Sequence, residues 1–196
     1  MQSIFGLEII WKWRNKFALM EVMMNSGTVY WITGLSGAGK TTIGDLFFKR
    51  FRREQKNVLF LDGDTLREVF GNDLGYNRED RFRCAMRYSR LCRLLAEQGQ
   101  DVVICTISMF YEVREWNRQN IEKYKEIYIE VPMEILEQRN QKGLYHSGSN
   151  VVGLDLETEL PENPDLVIRN DGKLSPQVLA EKIWDALCAG KDGGND

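Results

Sequence analysis

Residues 28–33 (TVYWIT) form an apolar run that leads directly into Gly34-Leu35-Ser36-Gly37-Ala38-Gly39-Lys40-Thr41, and a stretch with helical periodicity follows at once. A glycine loop between a buried strand and a helix aims successive backbone N–H groups and the helix N-terminus at one point, and that point attracts a polyphosphate. Lys40 would reach the outer phosphates, and Thr41 would offer its hydroxyl to Mg²⁺. Thr42 completes the set of nucleotide-contacting residues. In the stretch 41–53, Ile43, Leu46, Phe47 and Phe51 fall close to one helical face, the context this motif requires. The chain is therefore expected to bind a nucleoside triphosphate, with ATP and Mg²⁺ as the expected cofactors.

At 196 residues, with 43% apolar composition, the chain suits one globular domain and is too short for a motor-type ATPase. A net charge of −3 argues against a general nucleic-acid binder, which needs a surplus of Lys and Arg. Cys84, Cys92, Cys105 and Cys188 are scattered, with no CxxC pair and only His146 as an imidazole partner. They read as reduced, cytoplasmic thiols, neither a disulfide framework nor a zinc site. Residues 1–26 stand apart as an N-terminal extension. Ile4, Phe5, Leu7, Ile9, Ile10, Trp11 and Trp13 are apolar, but Glu8, Lys12, Arg14 and Lys16 interrupt them short of a membrane span. Three readings stand for it: an upstream start read as coding, with Met24 a natural start; a helix docking on the domain or on a second subunit; and an interfacial membrane helix. The remaining boundaries are 27–190 for the domain and 191–196 for a tail.

Along the domain, apolar strands alternate with helices. Residues 57–61, 101–106, 126–131 and 165–169 read as further strands. Helices are expected over 65–70, 81–97, near 111–120, from Pro132 onward, and from the Ser175-Pro176 cap to about Leu187. The pattern predicts an α/β three-layer sandwich with a parallel sheet of about five strands covered on both faces. Ligands gather at the carboxyl ends of such strands, where Thr33, Asp62, Asp64, Ile107 and Ser108 fall. Asp62 is placed to hold Mg²⁺ through water, and Asp64 to accept the proton of an attacking hydroxyl. A plainer reading of Asp62-Gly63-Asp64, a turn that caps the next helix, is compatible with both roles.

Six motifs in order, GLSGAGKTT (34–42), LDGDTLR (61–67), DLGY (73–76) with Asp80-Arg81, ISMF (107–110), KGLY (142–145) and PENPDL (161–166), resemble those of adenylylsulfate kinases over roughly residues 28–187. The resemblance implies transfer of the γ-phosphoryl group of MgATP to the ribose 3′-hydroxyl of a small nucleotide, with a lid at about 140–163 and a homodimer. Carried over by motif, Asp64 looks like the base, and Arg67 and Arg81 look like clamps on the substrate's anionic head group. Arg139 looks like the arginine near the ATP phosphates, Lys142 and Leu144 like lid contacts, and Ile107 and Ser108 like substrate contacts. Between Arg67 and Arg93 there are seven arginines and no lysine, which suits bidentate recognition of an anion. For Arg83, Arg90 and Arg93 a solvated helix face is the better reading.

The departures concern the nucleobase. Cys84, Met86 and Met109 replace residues usual in the family, and the lid is several residues shorter. Val151 stands where a phenylalanine usually stacks on adenine, opposite Tyr76. Losing one aromatic partner costs about 0.5 to 1.5 kcal/mol beyond the lost area. The variant resembles cytidine diphosphoramidate kinases of capsule biosynthesis, so two acceptors stand nearly level, with adenylylsulfate taken first because more of the motifs are known from its kinases. A guanine-nucleotide switch is the rival from another class. It needs an Asp with Gly three residues on, which the chain lacks, and Asn77-Arg78-Glu79-Asp80 comes too early to read guanine. A non-catalytic nucleotide-binding module is opposed by the presence of Lys40, Thr41, Asp62, Asp64 and Arg67 together.

Overall fold

The computed structural model describes residues 26–54, 57–139 and 158–188. Five parallel strands form one sheet: β1 (Val29–Thr33), β2 (Val58–Asp62), β3 (Asp101–Cys105), β4 (Tyr124–Glu130) and β5 (Leu166–Arg169), in the order β2-β3-β1-β4-β5. The helices among the described residues are α1 (Lys40–Glu54), α2 (Gly63–Val69), α3 (Arg78–Glu97), α4 (Tyr111–Asn120), α5 (Met133–Gln138) and α6 (Pro176–Leu187). The three-layer α/β sandwich expected from the alternation is thus present.

Strand alternation divides the core. Tyr30 and Ile32 of β1 face α1 and α6, packing with Phe47, Phe51, Leu179, Ile183 and Trp184. Val29 and Trp31 face α3 and α4, packing with Ala85, Tyr88, Cys92 and Val113. All five β1 residues are buried because β1 is central and covered on both faces. Edge-to-face contacts of 5.2 Å (Tyr30–Phe47), 5.4 Å (Tyr30–Phe51) and 5.5 Å (Phe51–Trp184) lock α1 and α6 on the sheet. With β1 fixed, the loop that follows it is fixed too.

Three boundaries move from the sequence reading. Helix α3 begins at Arg78, three residues early, because Asn77 caps it. The Asn77 side chain accepts from Asp80 N at 2.9 Å, and Asp80 Oδ2 accepts from Asn77 Nδ2 at 2.8 Å and from Gly75 N at 3.0 Å. The near match to a guanine motif is therefore a helix start. Strand β4 begins at Tyr124 instead of Glu126, and α2 begins at Gly63 instead of Thr65. Arg83 and Arg93 lie along α3 in ion pairs with Glu79 and Glu97, as a solvated face predicts. Cys84, Cys92, Cys105 and Cys188 are buried free thiols. No described helix is long and apolar enough to cross a membrane. The N-terminal extension up to residue 25, most of the proposed lid, and the tail lie outside the described residues.

Candidate active site

The loop between β1 and α1 turns on glycines whose backbone excludes side chains. Gly37 and Gly39 have φ of +76° and +89°, a region where any L-side chain is strained. Lys40 Nζ donates to Leu35 O at 2.8 Å, so the ammonium curls over the loop, where phosphate oxygens would compete for it. Cys105 Sγ contacts Lys40 O at 3.3 Å from below.

Asp62, the last residue of β2, meets this loop across the end of β3. Thr41 Oγ1 donates to Asp62 Oδ2 at 2.8 Å, while Asp62 Oδ1 accepts from Asp64 N at 3.0 Å and Thr65 N at 3.3 Å. One carboxylate thus caps α2 through one oxygen, as the plainer reading has it, and turns the other to the phosphate-loop hydroxyl. The donor set fits Mg²⁺: a hydroxyl and a carboxylate oxygen lie side by side, and this ion commonly takes one or two protein ligands, completing its shell with water and phosphate oxygens.

Asp64 is exposed in the first turn of α2. The start of that helix is held tightly. A Cβ on Gly63 would lie 3.1 Å from Thr106 Oγ1, so any larger residue would press this turn against the end of β3. Tyr88 donates its hydroxyl to Gly63 O at 2.8 Å, and its ring stacks on Phe70 at 6.2 Å. Burial pushes the Tyr88 hydroxyl far above its ordinary range, which keeps it a donor.

Beyond Asp64, Arg67 and Arg81 converge on Tyr76. Arg67 donates to Leu74 O at 2.8 Å and Gly75 O at 2.9 Å, with its guanidinium 4.4 Å from the Tyr76 ring. Arg81 donates through Nε to Tyr76 O at 2.6 Å and lies 5.5 Å from the same ring. Burial, then the neighbouring Arg67 charge, lowers the Arg81 guanidinium from its usual range. Two cations thus gather around an aromatic ring that is 60% exposed. Asp73 pairs with Arg87 through both carboxylate oxygens, at 2.7 and 2.8 Å, and pins the loop to α3.

At the end of β3, Thr33 Oγ1 donates to Ile107 O at 2.6 Å, and Ser108 Oγ lies 2.7 Å from Thr106 Oγ1. Ser108 is buried with φ of +22°, a rare conformation for a residue other than glycine. On the opposite side, Arg139 Nη2 donates to Asn170 Oδ1 at 3.2 Å, and Asn170 Nδ2 donates to Ala38 O at 2.9 Å. Sequence reasoning named Thr33 but overlooked Thr106 and Asn170. Asn170 directly follows β5, so the strand-end rule that selected Thr33 and Asp62 covers it. Lys142, Leu144 and Val151 lie outside the described residues. The segment after them is strapped down. Glu159 pairs with Arg78 at 2.7 Å and accepts from Tyr111 N, the backbone at the start of α4, and Leu160 O accepts from Arg114 at 3.2 Å.

A glycine loop after the central strand of a parallel sheet, with a strand-end aspartate meeting its threonine, is the phosphate-binding arrangement of P-loop nucleotide-binding proteins. The adenylylsulphate kinase family model matches residues 26–169, and the chain belongs to that family: it is an ATP-dependent phosphotransferase. A relative named cytidine diphosphoramidate kinase, from Campylobacter jejuni subsp. jejuni serotype O:2, is 44% identical over 166 residues, covering 82% of this chain and 96% of that one. An adenylyl-sulfate kinase of Gloeothece citriformis is 35% identical over 154 residues, covering 76% and 88%. The solved structure of the Mycobacterium tuberculosis APS kinase in complex with AMPPNP and APS superposes with a TM-score of 0.74 at 31% identity, covering 83% of this chain and 98% of that one.

Proposed function

We propose that this kinase transfers the γ-phosphoryl group of ATP to the ribose 3′-hydroxyl of a nucleotide carrying a small anionic head group. The observation that carries the reading is the Thr41–Asp62 contact of 2.8 Å, with Asp64 on the next turn of chain. It gathers a phosphate loop, a metal-binding pair and a candidate base at one set of strand ends. In this reading Asp64 accepts the proton of the 3′-hydroxyl as its oxygen attacks phosphorus. Residues 34–42 hold the triphosphate. Lys40 and Arg139 stabilise charge on the moving oxygens, which is most of what phosphoryl transfer asks of a protein. Mg²⁺, held by Thr41 and through water by Asp62, would neutralise charge on the β- and γ-phosphates. Arg67 and Arg81 would trade their contacts with the 74–76 loop for contacts to the head group, or share them. Tyr76 would stack on the base, Ile107 and Ser108 would line the acceptor side, and Lys142, Leu144 and Val151 would contact it from a lid at about 140–163 within a 27–190 kinase domain.

For the acceptor, cytidine diphosphoramidate moves ahead of adenylylsulfate. Identity of 44% to the relative named for the cytidine substrate, against 35% to a relative named for adenylylsulfate, supports that order, and so does the aliphatic Val151 at the base-stacking position. ADP release with a panel of adenylylsulfate, cytidine diphosphoramidate, gluconate and plain nucleosides is the test. Preferred turnover of cytidine diphosphoramidate is expected. Preference for adenylylsulfate reverses the order, and turnover of neither removes the proposal. A homodimer is the expected assembly, measurable by light scattering.

A further inference from the structure

We infer that Asn170 is a positioning residue that sets Arg139 relative to the phosphate loop, so that the loop and the arginine act on the nucleotide as one rigid unit. The inference rests on the reading of Arg139 as a contact to the ATP phosphates.

The backbone of Asn170 extends the sheet beyond β5: its N–H donates to Glu130 O at 2.8 Å. Its side chain is buried and bridges two groups that no other contact described above connects. Ala38 O is a carbonyl inside the phosphate loop and needs a donor. The Arg139 guanidinium carries only donors and needs an acceptor. A primary amide supplies one of each in a single plane, and the two partners dictate its orientation, NH₂ toward Ala38 and oxygen toward Arg139. No other side chain of that size offers this pair. The amide also explains Gly39 more fully. A Cβ there would lie 2.9 Å from Asn170 Nδ2, so the loop is bare on this side in part to admit the amide.

Arg139 follows the short helix α5, and its side chain has four torsions to fix. Left to itself, a long side chain in that position samples many rotamers. Anchoring it through a buried amide to the loop it must cooperate with removes that freedom before the nucleotide arrives, the usual way an active site is held ready.

The test is a double-mutant cycle in the full-length protein, reading ADP release with ATP and whichever nucleotide of the panel is turned over. Asn170→Ala should lower kcat/KM for ATP by on the order of tenfold and leave the acceptor KM unchanged. In an Arg139→Ala background the same change should cost less than about twofold, because the group it positions is gone. An equal loss in both backgrounds would mean that Asn170 supports the loop alone and would overturn the inference, as would an Asn170→Ala enzyme equal to the parent. If the alanine variant does not fold, Asn170→Asp serves. It keeps the volume and the acceptor toward Arg139 but loses the donor toward Ala38. Arg139→Ala should then cost less in that variant than in the parent, because the arginine is no longer tied to the loop, and an undiminished cost would overturn the inference. Arg139→Ala alone with full activity would instead remove the reading of Arg139 beneath it.

Discussion

At the residue scale, Asp62 and Asp64 sit two positions apart and are assigned different work, which substitutions can separate. Asp62→Asn still offers an oxygen to the N–H groups of Asp64 and Thr65. Its stability in thermal denaturation should therefore fall by less than about 1 kcal/mol, while turnover falls on the order of a hundredfold. Asp64→Asn should keep ATP binding, measured by calorimetry, and lower turnover by about two orders of magnitude. Unchanged turnover in Asp64→Asn contradicts its role as the base. Tyr76→Ala should raise the acceptor KM by about tenfold and leave the ATP KM alone, because the ring is exposed and makes its contacts with Arg67 and Arg81. Asp62 and Asp64 were legible as candidates in the sequence because the loop motif and the strand ends place them by spacing, whereas Tyr76 came only with the family resemblance. Asn170 falls at a strand end by the same rule, but its partners were not legible: only the fold brings Ala38 and Arg139 to either side of it. The contacts of Arg67 and Arg81 with the 74–76 loop were hidden for the same reason, since a count of arginines does not reveal which carbonyls they meet.

At the scale of elements, the segment leading back from the proposed lid is tied to the sheet by charge. Glu126 is buried on β4 between Arg118, at 2.6 Å, and Arg114, at 3.3 Å. Burial holds the Glu126 carboxyl above its ordinary value, and the Arg114 and Arg118 charges offset only part of that rise. Arg118 also donates to Asn163 O at 2.8 Å, and Asp165 accepts from Glu126 N at 2.8 Å. Glu126→Gln leaves Arg114 buried without its counter-charge and should cost about 3 kcal/mol in chemical denaturation, with part recovered by adding Arg114→Met. A cost near zero would show that the network is not coupled to folding. The expected strand 126–131 starts two residues after β4 does, because the charged Lys125 separates Tyr124 from the apolar run that follows. In the fold Glu126 is an interior position with partners from α4. The start of α3 shifts because Asn77 and Asp80, a capping pair, lie just ahead of the apolar periodicity that places the expected helix at 81–97.

For the whole molecule, the parallel sheet and its layers followed from continuous apolar strands separated by helices, while the strand order β2-β3-β1-β4-β5 emerged only in the fold. Nucleotide binding should stabilise this unit by mass action. ATP with Mg²⁺ at a hundred times its Kd should add about 2.7 kcal/mol, and GTP far less, in a thermal shift assay. Equal protection by GTP would favour the switch reading. Stability should also fall on acidification. Burial raises the Asp165 carboxyl, but the Glu126 N–H, Lys125 and Arg118 outweigh it and hold the group below its ordinary value. Its contribution is complete above the usual carboxylate range and is lost as pH drops through the depressed value.

The chemistry itself is open to direct observation. Phosphorus NMR of the product formed from ATP and cytidine diphosphoramidate should show a new phosphomonoester coupled to the single proton at ribose C3′, with ADP released in equal amount. A phosphoryl group on any other oxygen, or free phosphate in place of a phosphorylated nucleotide, would contradict the mechanism assigned to Asp64 and the phosphate loop.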